Sequence, residues 1–119
     1  MTGVQTCALP ISGVRGLAFL GFPLHPAGRP ARERGEHLFD VQIPMLFLQG
    51  TRDALATLTE LEPLCEALGS RAVLQLYADA DHSFHVPARI GRKDAQVMSE
   101  LMDALAAWID AVIAGRGAR

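Results

Sequence analysis

"PMLFLQG", Pro44–Gly50, is apolar at nearly every position. A strand with one face in water alternates apolar and polar residues. A strand of a parallel sheet, covered on both faces, does not. Pro44 suits the start of such a strand, where a missing N–H is tolerated. "GLAFLGF", Gly16–Phe22, has the same character, and "AVLQLY", Ala72–Tyr77, is a third short run. These three stretches are expected to be the strands of one parallel sheet.

Outward from them lie helical patterns. "TELEPLCEALG", Thr59–Gly69, opens with Thr59 and Glu62 at capping-box spacing and stops at a glycine. Pro63 is awkward inside it and places the expected start near Leu61 or Glu62. Asp94–Ala114 is the clearest helix. Val97, Leu101, Leu105, Trp108 and Val112 recur at three- and four-residue intervals, with Met98, Ala104 and Ile109 widening the apolar face, and Gly115 ends it. A short helical turn is expected around Arg32–Phe39. Strand, crossover, strand, helix, strand, helix is the order of a parallel α/β sheet with right-handed crossovers. "GFPLHPAGRPARERG", Gly21–Gly35, rich in proline and glycine, reads as a long irregular loop, a kind that often carries function.

Composition narrows the function classes. The 119 residues are 50% apolar and 20% charged, which is globular and not disordered. A net charge of −2 argues against a nucleic-acid binder. Arg29, Arg32 and Arg34 alternate with Glu33 and Glu36, as on a solvated loop. Cys7 and Cys65 have no metal spacing, and Cys65 falls in a helical apolar pattern as a small core residue. No run approaches the ~20 apolar residues of a membrane span. No secretory signal is legible either, so a cytoplasmic protein is expected.

In an open parallel sheet, ligands meet the carboxyl ends of the strands. His25 follows the first strand, Asp53 the second and His82 the third. Neighbouring strands lie about 5 Å apart, so short loops could bring the Asp53 carboxylate to the His82 imidazole. A carboxylate on Nδ1–H fixes the tautomer, and Nε2 then serves as general base. Plainer readings stand beside this one. Asp53 fits a turn or helix cap, and Asp81 or Ser83 fits the cap of a short helix with His82 incidental. His82 and His85 with Asp79 and Asp81 are also metal-ligand types, without a helix to set their spacing.

Taken together, "GLAFLGFPLHPAGRP", "IPMLFLQGTRDAL" and "ADADHSFHVP" resemble the C-terminal half of an α/β-hydrolase. The branch they resemble is Tex30/KANSL3-like, with dienelactone-hydrolase-like enzymes nearby. The resemblance spans about Val14 to Gly115. It implies that Asp53 is the triad acid and His82 the triad histidine, and that the three strands end the family's sheet as about three parallel strands with flanking helices. His25 and Phe84 are expected at the pocket rim. The family also has a nucleophile elbow, G-x-S-x-G or a close variant. None occurs in this sequence: Ser12 lacks flanking small residues, Ser83 adjoins His82, and Ser70 and Ser99 fall in helix-end and helix positions.

"MTGVQTCALPIS", Met1–Ser12, fits none of this pattern. Back-translated, Val4–Ile11 resembles a short-read sequencing adapter in frame. Residues 1–11 are therefore expected to be an artefact outside any domain, and 12–119 the C-terminal half of a single α/β-hydrolase domain. The expected function is a serine-type hydrolase acting on a small-molecule ester, thioester or related acyl bond. No cofactor, metal, nucleic acid or membrane is expected, and the chain is expected to be inactive without its nucleophile. The alternative is a non-catalytic α/β-hydrolase-like interaction module of a larger assembly. Nothing in the sequence sets the oligomeric state.

Overall fold

A computed structural model describes residues 14–29, 31 and 33–115. The adapter reading of residues 1–11 and Ser12 lie outside the described residues. Strands β1 (Leu17–Leu20), β2 (Met45–Gly50) and β3 (Ala72–Tyr77) form one parallel sheet in the order β1-β2-β3. Helix α1 (Leu58–Leu68) joins β2 to β3, and helix α2 (Asp94–Ile113) follows β3. The connection from β1 to β2 contains a 3₁₀ segment, Glu33–Asp40, where a short helical turn was expected. The architecture is a three-stranded parallel α/β sheet with flanking helices.

The register explains why the strand sequences do not alternate. Phe47 pairs with Phe19 on one side and Leu74 on the other, and every residue of β2 is buried. Met45 and Phe47, with Leu17 and Phe19, face Leu61, Leu64, Cys65 and Leu68 of α1. Leu46 and Leu48 face Val97 and Leu101 of α2. A central strand sandwiched in this way needs apolar side chains in both directions. Each fully buried Leu or Phe contributes about 1.5–3 kcal/mol relative to exposure. Phe19, Phe22 and Phe47 form an aromatic group on the α1 side, with ring centroids 5.0–5.8 Å apart.

Three helical details differ from expectation. α1 starts at Leu58, ahead of Pro63, because Thr57 O accepts the N–H groups of Glu60 and Leu61. Pro63 sits on the exposed side and forfeits one backbone bond without setting the boundary. No capping box forms at Thr59 and Glu62; Thr57 takes the cap position. In α2, Met98 and Ile109 do not share the buried stripe with Val97 and Leu101 but are 40% and 41% exposed. The sheet covers only part of the apolar face that the periodicity outlines.

Arg71 ties the crossover to the sheet. Its Nε donates to Leu68 O, and one guanidinium N–H group reaches both Phe39 O and Val41 O. Among the described residues, no helix is long and apolar enough to cross a membrane.

Candidate active site

The carboxyl ends of β2 and β3 are stitched together before any side chain is considered. Thr51 N–H donates to Tyr77 O, and Arg52 N–H to Ala80 O. This approach requires Gly50, since a Cβ there would lie 2.2 Å from Ala80 O. The chain then turns through Asp53, whose N–H donates to Gly50 O. Asp53 is 2% exposed, and its carboxylate is surrounded by donors. Oδ1 accepts Leu55 N–H at 2.8 Å. Oδ2 accepts Gln49 Nε2–H at 2.7 Å and faces His82 Nδ1 at 2.8 Å. An ionised carboxylate only accepts, so Nδ1 carries the proton.

His82 lies on a turn held at several points. Asp79 and Phe84 adopt left-handed backbone angles, with φ of 62° and 66°. Asp79 N–H donates to Thr51 Oγ1. Asp81 Oδ1 accepts the N–H groups of Ser83 and His85, and Asp81 N–H donates to His85 O. Asp81 thus holds the turn, but residues 82–87 form a turn and irregular chain and not the short helix that the capping alternative requires, and this turn coexists with the Asp53–His82 contact. The ring also lies beside β1's exit. Gly21 has φ +80°, and a Cβ there would come within 3.3 Å of His82 Nδ1 and 3.2 Å of Cε1. His82 Nε2 has no partner among the described residues, and the side chain is 38% exposed.

This arrangement can accept a proton at Nε2 while the buried carboxylate steadies the resulting imidazolium. It brings Asp53 and His82 together and leaves His25 and Phe84 elsewhere. His25 is fully buried. Its Nδ1–H donates to Pro26 O at 2.8 Å, and Nε2 accepts Thr57 N–H at 3.0 Å. Both ring nitrogens are thus spent on joining the loop after β1 to the start of α1. Phe84 turns its ring into the α2-side core, edge-on to Tyr77 at 5.9 Å, and so anchors the His82 turn from below.

A second histidine–carboxylate contact lies three residues along. His85 Nδ1 is 2.6 Å from Asp94 Oδ2, and Asp94 Oδ1 accepts Val86 N–H. The hydrogen bond to Asp94, then its charge and that of Asp81, raises the His85 pKa above 6.5. Asp94 is lowered, first by the Val86 N–H and then by His85. The two histidines engage different carboxylates, and the described residues hold no group of three or more potential ligands, so the alternative metal reading finds no site there.

The chain matches the family model described as "Alpha/beta hydrolase domain" over residues 3–110. It belongs to the alpha/beta hydrolase domain family. No solved structure matches it. An α/β-hydrolase places its acid and histidine on loops after late parallel strands, in the chain order Asp then His. The β2 and β3 exits of this α/β-hydrolase domain carry those residue types in that order. Gln49 and Gly21 escaped the sequence reading. Gln49 had one visible signal, a polar side chain inside an otherwise apolar buried strand. Gly21 had none, because its neighbour His82 is distant in sequence.

Proposed function

We propose that the chain is the C-terminal part of a serine-type α/β-hydrolase acting on an ester, thioester or related acyl bond. Asp53 and His82 supply the acid and histidine, and the nucleophile belongs to sequence outside these 119 residues. The observation that carries this reading is the buried Asp53 carboxylate 2.8 Å from His82 Nδ1, on a ring whose other edge is open.

The chemistry follows from that pair. His82 Nε2 removes the proton of the serine hydroxyl as it attacks the acyl carbon. Asp53 holds the Nδ1–H tautomer and stabilises the imidazolium. Backbone N–H groups around the nucleophile stabilise the oxyanion. The proton on Nε2 passes to the leaving group, and water repeats the sequence to release the acid. A fluorophosphonate probe, which labels only an activated serine, tests this. The complete hydrolase is expected to take the label and to lose it on His82→Ala. The 119-residue chain alone is expected to take none.

A second reading, a non-catalytic interaction module, draws on a different observation. Met98, Met102 and Ile109 of α2 and Leu20 of β1 are 40–45% exposed, and large apolar side chains left in water are what an interaction surface uses. In that case the complete protein stays unlabelled, and substitution of His82 is silent.

A further inference from the structure

We propose that Gln49 is a positioning residue for the acid–histidine pair, pinning the Asp53 carboxylate in the plane where it meets His82. The inference deepens the hydrolase reading and rests on it.

Gln49 is fully buried in β2, between Leu48 and Gly50, where a polar side chain is costly unless both its ends are satisfied. Both ends are. Oε1 accepts Phe22 N–H at 3.0 Å, and Nε2 donates to Asp53 Oδ2 at 2.7 Å. The Phe22 bond fixes which way the amide points, because only the oxygen can accept from a backbone N–H. The amide nitrogen is thereby aimed at Asp53 and cannot be exchanged for the oxygen.

Asp53 Oδ2 then has two donors, Gln49 from within the sheet and His82 from the neighbouring turn, while Oδ1 is held by Leu55 N–H. With three bonds the carboxylate has one orientation. Without Gln49, Oδ2 is held by the imidazole alone, and rotation about the carboxyl group carries it off Nδ1. Gln49 also couples the pair to β1's exit. The residue before Phe22 is Gly21, whose backbone packs on the His82 ring. One side chain thus links all three strand ends that meet at the imidazole.

The charged groups around the turn are Asp79 and Asp81 on its own segment, Arg52 on the loop after β2, and the His85–Asp94 pair. None of them donates to Asp53 among the described residues. Gln49 is the only side chain besides His82 that does so there.

The test is solvent exchange of the His82 Nδ1 proton, read by NMR on the 15N-labelled complete hydrolase. Gln49→Met conserves volume and removes both bonds. It is expected to speed that exchange about tenfold, the scale of one hydrogen bond to a charged group. A role in packing alone would speed it no more than the backbone amides of Leu46–Leu48, and that result would overturn the proposal. Gln49→Glu keeps the acceptor for Phe22 N–H and covers the case in which the methionine variant does not fold. When protonated it donates to Asp53; when ionised it repels Asp53. Its Nδ1 proton is expected to exchange as in the wild type at acidic pH and much faster at alkaline pH. Wild-type behaviour throughout would equally overturn the proposal. These readouts need no turnover, so failure here is distinct from failure of the hydrolase reading, which serine labelling detects.

Discussion

Two histidine–carboxylate pairs sit three residues apart on one loop, and they differ in almost everything except distance. His82 meets Asp53 at 2.8 Å and His85 meets Asp94 at 2.6 Å. The Asp53 side chain is fully buried and held by three donors; that of Asp94 is 51% exposed at the start of α2. The shorter contact is the weaker candidate for chemistry. Water screens an exposed pair and competes for both partners. A buried carboxylate has no such competitor, so its preference for a proton on Nδ1 is passed undiluted to the ring. Burial and the surrounding donors, more than separation, distinguish the pair to which we assign proton transfer.

Substitutions can break this contrast in order of size. Asp53→Asn should have the largest effect. An asparagine amide can present its N–H to the imidazole and favour the wrong tautomer, and in serine hydrolases this loss lowers kcat about 10⁴-fold. Ester turnover by the complete hydrolase checks it, and a fall of less than tenfold would remove Asp53 from the mechanism. Gly21→Ala comes next. The added Cβ presses on the imidazole, and φ +80° is a strained angle for alanine. A misplacement of this kind costs about 10²-fold in turnover, and pair geometry in a crystal structure of the variant would show the displaced ring.

Asp94→Asn should have the smallest effect and leave turnover nearly unchanged. Its signature is in the pH dependence of stability. His85, raised above 6.5, contributes stability that is fully present below that value and lost as pH climbs through its raised folded-state pKa. Asp94, lowered from 3.8, contributes stability present above that value and lost as pH falls through its lowered folded-state pKa. The pair therefore helps most between about pH 4 and 6.5. The Tm difference between wild type and Asp94→Asn should be greatest there and shrink toward pH 8. A constant difference would mean that Asp94 contributes through a contact that does not titrate, and not through the charge pair.

The sheet was legible because its physics is local. A strand buried on both faces shows itself as a continuous apolar run, and the run at 44–50 needed no partner to be recognised. The approach of Asp53 to His82 was legible for a related reason, since both follow the ends of neighbouring strands. The boundaries were less so. β1 stops at Leu20, short of the apolar run's end at Phe22, because Gly21 turns the chain under the imidazole. Pro63 suggested a later start for α1, because its cost is visible in sequence and the bonds to Thr57 O are not. His25 looked like a loop residue between prolines, and only the fold shows both its nitrogens tied to the loop and to Thr57. Gln49 is the sharpest case. Its meaning lies in Phe22 and Asp53, and neither contact can be inferred from the strand that holds it.

In the proposed mechanism His82, and not its neighbour His85, is the general base. Fluorophosphonate labelling of the complete hydrolase separates them most directly, with His82→Ala and His85→Ala compared under one set of conditions. Labelling is expected to disappear in the first variant and to persist in the second. Labelling that survives His82→Ala, or that His85→Ala alone abolishes, would contradict that mechanism.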